Sequence, residues 1–201
     1  MALSDVSIAN SALSKIGAGS IIALTDDTPA GRAVLARYAV VRDAELTRHV
    51  WRFSVKRASL AALVSTPVFG YSYEYQLPDD CLRVLVVGQS APGLDMTDIR
   101  DGVDTLDYTI EGRKILTEYG APLYLRYVAR IDDPTQFDYS FAEALASRLG
   151  YELTTVLSDS TSRKEAAWAD YQSALRDAVR SNALQQPAQA IPDDSWLVGR
   201  R

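Results

Sequence analysis

One cysteine and one histidine stand among 201 residues. Cys81 alone builds no internal disulfide framework, which suits synthesis in a reducing compartment. With His49 as the one histidine, a Cys/His zinc set is ruled out. A nucleophilic triad would have to use His49, which stands beside a helix end and is expected to interact with the C-terminal carbonyls there. Positive charge is also short: 26 acidic residues face 21 basic ones, a net charge of −5. A protein that wraps and clamps phosphates needs a basic surface, so that class is excluded. DNA passing nearby without being held is not, because a mildly acidic lining repels it. No apolar run approaches the ~20 residues that span a bilayer. The opening MALSDVSIANSALSKIG has no basic region followed by an apolar run. It is therefore not read as a signal peptide, and synthesis in cytoplasm is expected.

What is there is ordinary globular material: 47% hydrophobic and 23% charged residues. A chain of this length suits one domain, or one domain with an extension. It buries roughly 70% of its unfolded surface and folds without staples. Helix signals come first. Ser4 or Asp5 caps a helix carrying Val6, Ala9, Leu13 and Ile16, and Gly17 ends it. Thr28-Pro29 starts a second helix running to about His49. Val34, Tyr38 and Val41 form its apolar stripe. Arg37, Arg42, Asp43 and Glu45 are expected on its solvated or interface side.

Trp51, Phe53 and Val55 alternate with Arg52, Ser54 and Lys56, which favours a strand. Tyr71 to Val87 reads as two strands joined by the Pro78-Asp79-Asp80 turn. Tyr71, Tyr73, Tyr75 and Leu77 share one face there; Ser72, Glu74 and Gln76 share the other. A hairpin around Gly112 joins Tyr108–Ile110 to Lys114–Thr117. Leu123 to Ile131 alternates again. Two helices in an antiparallel hairpin complete the domain. One carries Phe141, Leu145, Leu149, Leu153 and Leu157; the other, about 163–183, carries Trp168, Tyr171, Leu175 and Ala178. After Leu184 the prolines and glutamines of QQPAQAIPDDSWLVGRR lack periodicity and read as a tail.

The fold class expected is α+β. A bundle of about four helices, two N-terminal and two C-terminal, packs with an antiparallel sheet of four to five strands, plus an extended C-terminal tail. Residues 1–184 form one domain, helical over 4–49 and 138–184 and sheet-forming over 51–131. Residues 185–201 form the tail.

Chemistry is sparse. Asp79-Asp80 and Asp132-Asp133 could imitate the paired carboxylates of a glycan hydrolase, but both pairs flank prolines at strand ends, where turn formation explains them. Asp95, Asp98, Asp101, Asp104 and Asp107 recur at intervals of three. The spacing is not that of an EF-hand, so a solvated acidic loop is the reading. The tyrosine stripe could stack bases, yet Glu74 and Asp79-Asp80 are the wrong neighbours. Core or interface packing fits better. No catalytic, cofactor-binding or metal-ligating residue is assigned.

The ordered segments are IANSALSKIGAGSI, YAVVRDAELTRHVWRFSVKRASLA, GYSYEYQLPDDCLRVL, IEGRKILT and LYLRYVARIDDPTQFDYSFAEALASRLGYELTTVL. With their spacing, the chain resembles the tail tubular protein A family of short-tailed bacteriophages, over roughly residues 5–180. The family commonly has proline before the tryptophan and a small polar residue after it; Val50 and Arg52 stand there here. The resemblance implies a structural virion protein, a head-to-tail adaptor without catalysis. Such adaptors form a dodecameric ring beneath the portal protein and join it to the tail nozzle or tail tube, with DNA running through the lumen. Tyr71, Tyr73, Tyr75, Pro78 and Arg83 are expected to act as scaffold, the tyrosines packing sheet against helices. Ile191, Trp196, Leu197 and Val198 are expected to anchor the tail on the portal or a neighbouring subunit, since buried aromatics dominate such contacts. A wall-degrading enzyme and a non-ring interaction module remain as alternatives. Neither a cofactor nor a membrane partner is expected.

Overall fold

The computed structural model describes residues 3–88, 107–157 and 160–185. Helix α1, Asp5–Lys15, is closed at both ends by its own sequence. The Ser4 hydroxyl accepts the Ser7 N–H at 3.1 Å, and the Ser7 hydroxyl accepts the Ser4 N–H at 2.9 Å. This reciprocal box satisfies two orphan donors. At the other end Gly17 takes φ 73°. Gly17 N–H donates to Ser14 O and Ala18 N–H to Leu13 O, the Schellman pattern. Helix α2, Pro29–Arg48, starts where Thr28 Oγ1 accepts the Gly31 N–H at 3.0 Å.

The strand expected from Trp51 begins later. Arg52–Ser54 is a 3-10 turn, and β1 is Val55–Leu60. Ser54 donates to the Trp51 carbonyl from its N–H at 3.0 Å and from its hydroxyl at 2.9 Å, which closes the turn. Trp51 and Phe53 each lie 5.0 Å from the Phe141 ring, edge to face. Aromatic packing with the helices wins here over alternation.

Five more strands follow: β2 Tyr73–Gln76, β3 Cys81–Gly88, β4 Tyr108–Glu111, β5 Lys114–Thr117 and β6 Leu123–Ala129. Helices α3, Tyr139–Leu157, and α4, Thr161–Leu184, follow. The class is α+β, and among the described residues there are four helices and six strands, the strands split between two antiparallel sheets ordered β1-β6-β3 and β2-β5-β4. The two strands read as neighbours across Pro78-Asp79-Asp80 therefore do not pair. The reason lies in the turn itself. On its entry side Leu77 N–H donates to Arg113 O; on its exit side Arg130 N–H donates to Asp80 O. Its flanks are thus already bonded to different sheets, and the turn carries the chain from one to the other.

The core lies between the helices and one face of the first sheet. Leu123, Leu125, Tyr127 and Ala129 of β6 point into it, with Leu13, Val34, Leu46, Phe141, Leu145, Leu149 and Leu153 opposite. Helix α3 packs against α1, α2 and α4. Tyr75 and Ile115, cross-strand partners, bring the second sheet into the same core.

Candidate functional site

The expected scaffold residues do not form one surface. Tyr75 is fully buried and its hydroxyl donates to the Tyr119 carbonyl at 2.7 Å. Tyr71 is half-buried beside Thr109, with 2.8 Å between their hydroxyls. Tyr73 is 40% exposed, so it does not pack the sheet against the helices. Glu74, on the face opposite the tyrosines, is buried as well and accepts there from Lys114 Nζ at 2.9 Å and from the Ser65 hydroxyl. The segment before β2 pairs with its outer edge: Leu63 N–H donates to Glu74 O, and Ala62 bridges to Tyr75. Ile191, Trp196, Leu197 and Val198 lie outside the described residues, as does the acidic loop apart from Asp107.

Three of the four paired carboxylates hold local structure together. Asp80 Oδ2 accepts from Lys56 Nζ at 2.8 Å, and its Oδ1 from the Tyr127 hydroxyl at 2.9 Å. Burial raises the Asp80 pKa, but these two hydrogen bonds outweigh it and leave the carboxyl below its ordinary value. Tyr127 is pushed up to about 12, by burial first and then by Asp80. Asp133 caps the 3-10 turn Pro134–Gln136; its bonds from Thr135 lower its pKa. Asp132 accepts from Arg42 at 2.7 Å. A glycosidase needs one carboxyl held protonated near neutral pH. Asp80 and Asp133 are shifted the opposite way, so neither is that acid.

Periodicity misplaced two residues of α2. Arg42 and Glu45, assigned to its solvated side, are both buried. Arg42 is held between Asp43 and Asp132, and Asp43 in turn accepts from Arg130 at 2.9 Å. Glu45 accepts from the Tyr171 hydroxyl of α4 and lies 3.3 Å from Arg48 Nε. Buried charges need such partners. The solvent-facing side of α2 carries Arg37 as expected, together with Leu35 and Val40.

His49, expected at the helix-end carbonyls, faces α4. Its Nε2 is 3.1 Å from Asn182 Nδ2. Asn182 also donates to the Val50 carbonyl at 3.0 Å and accepts the Arg52 N–H at 2.9 Å. Burial, then the nearby Arg83 charge, lowers the His49 pKa. His49 and Asn182 open onto a cleft of about 580 Å³ also lined by Arg52, Arg57 and Arg126. Arg83 lies on the same side of the sheet. This concentration of arginines was invisible in the sequence, because its members come from three separate segments.

The loop between β1 and β2 presents a second feature. Val64, Val68 and Phe69 are fully or almost fully exposed, at 104%, 97% and 87%. Three large apolar side chains within six residues on one projecting loop are unusual for a surface that only meets water.

No protein-family model matches the chain, and no curated protein matches it either. Among the described residues, no helix is long and apolar enough to cross a membrane.

Proposed function

We propose that the protein is a structural component of a phage virion, a head-to-tail adaptor at the junction of capsid and tail. In this reading copies of the chain form a ring, most simply a dodecamer, between the portal protein and the tail nozzle or tube. The genome passes through the lumen without being bound by sequence. The tail residues Ile191, Trp196, Leu197 and Val198 anchor the chain on the portal or a neighbouring subunit.

The observation that carries the reading is the order of the resembling segments across residues 5–180. The described parts of those segments build one continuous core rather than scattered patches. Helices α1 and α2 come from the first two segments, the turn between the sheets from the third, and α3 from the last. The acidic balance and the exposed Val64–Phe69 loop support it further, as a lumen that does not grip phosphate and as a surface for a partner.

Negative-stain imaging of the full chain mixed with portal rings tests the proposal. A ring stacked coaxially on the portal is expected. Portal rings that remain bare at micromolar concentrations of the chain would overturn it.

A further inference from the structure

The first sheet has a face turned away from the core, and that face gathers positive charge. Arg57 of β1 and Arg126 of β6 are direct cross-strand partners. Arg83 of β3 registers with Val128, two residues further along the same face of β6. Arg52 approaches from the 3-10 turn and lines the same cleft as Arg57 and Arg126. The nine ion pairs among the described residues include none of these four. The Nε atoms of Arg83 and Arg126 are buried without a hydrogen-bond partner.

That arrangement is costly as it stands. Like charges directly opposite each other across a ladder repel, and a buried unpaired guanidinium N–H forfeits its solvation. Elsewhere this chain pairs its buried charges carefully, as at Glu45, Glu74 and Arg42. The exception is this arginine face, where Arg126 in the cleft and Arg83 on the adjacent strand each bury an unmet Nε donor.

We infer that this cleft is a docking site for carboxylate side chains on a second copy of the same chain. Guanidinium forks match carboxylates bidentately. The choice of occupant follows from charge. The chain carries a net −5 although this face holds four uncompensated arginines, so its other surfaces are more acidic than the total indicates. Glu111, Glu165, Asp170 and Asp177 are exposed carboxylates without an ion pair. A polyanion such as duplex DNA would meet the field of the whole acidic molecule before reaching the cleft. A basic cleft meeting acids from a different surface of the next copy is a heterologous contact, the kind that closes into rings. The inference thus rests on the ring reading and specifies one side of the contact between subunits.

Light scattering on the full chain tests it, alone over a concentration series and mixed with portal rings, in low and high salt. Wild type is expected to associate, and Arg57→Glu/Arg126→Glu to associate at least tenfold more weakly. The Arg57→Lys variant, which keeps charge but loses the fork, should fall between them. Far-ultraviolet circular dichroism checks that each variant is folded; if the double variant is not, Arg57→Lys alone decides. A folded double variant that assembles like wild type overturns this inference and leaves the ring reading intact. Wild type that never associates, alone or on portal, overturns both. If the substitutions abolish binding of a 12-base-pair duplex while self-association is unchanged, the cleft serves phosphate and the inference is wrong.

Discussion

The Tyr171 hydroxyl donates to both carboxylate oxygens of Glu45, at 2.8 and 3.0 Å, across 126 positions of sequence. The pair fastens α4 to α2 beneath the surface. Burial, then the Glu45 hydrogen bond, raises the Tyr171 pKa, so the phenol stays protonated as donor. Removing the hydroxyl leaves a buried carboxylate with Arg48 as its remaining side-chain partner. Tyr171→Phe is expected to cost about 1.5–3 kcal/mol, the range for a hydrogen bond to a charged group. Urea unfolding should show a lower midpoint at unchanged slope. A double-mutant cycle with Glu45→Gln should return a coupling of about 0.5–3 kcal/mol; strictly additive effects would show that the two side chains act separately.

That pair also marks the limit of what the sequence revealed. Helix positions and ends were legible because Ser4, Thr28-Pro29 and Gly17 act on their own backbone neighbourhood. The Gly112 hairpin was legible for the same reason. Glu45 and Arg42 were misplaced because periodicity assumes one buried face, whereas α2 also buries charged residues whose partners, Tyr171 and Asp132, come from distant segments. The pairing of β2 with β5 rather than β3 is equally non-local. It depends on where Arg113 and Arg130 bond the flanks of the turn. The arginine face follows from register between three strands, which no single stretch encodes.

Gly31 sits in the first turn of α2, where helix propensity alone favours alanine. The structure reverses that sign. A Cβ at this position would fall 2.3 Å from the Asp26 carbonyl oxygen, and a backbone atom cannot swing away. Gly31→Ala should therefore destabilise by about 1–3 kcal/mol through overpacking. For a chain of this size that lowers Tm by about 2–10 °C, by calorimetry. A rise in Tm would mean that the 23–27 loop gives way freely.

Asp80 joins β1, β3 and β6 through Lys56 and Tyr127. Its folded pKa lies below the ordinary 3.8. The stability it contributes is therefore complete above the unfolded value and lost as pH falls through the lowered folded one. Wild type should lose stability below about pH 4 more steeply than Asp80→Asn, which should already be weaker at pH 7. Chemical unfolding between pH 6 and pH 2 checks both. Parallel curves for the two proteins would remove Asp80 from the account.

His49 has the same sign in a higher window. Its folded pKa is lowered from 6.5, so the unfolded chain takes up the proton first. The neutral ring's contribution is present above pH 6.5 and fades as pH falls through the folded value. His49→Gln should flatten the stability profile between pH 7.5 and 5.5, and unfolding midpoints across that window measure it. An unchanged slope would assign the acid sensitivity there to other groups.

The Val64–Phe69 loop supplies the last prediction, because its exposure separates folding from assembly. Val68 and Phe69 are nearly as accessible as in an open chain and lie outside the buried core. Replacing both with serine removes little that is buried, so the unfolding free energy should stay within about 0.5 kcal/mol of wild type. If the protein joins portal to tail, apolar side chains of this kind are the anchors a partner would bury. The double substitution should then weaken capture of the tail nozzle or tube protein by portal-bound rings at least tenfold. Stacking on the portal itself should persist, since that contact is assigned to other surfaces. Co-sedimentation of preassembled rings with each partner distinguishes the two. Undiminished tail binding would make the loop a solvated projection, and loss of both contacts together would point to a ring that no longer forms.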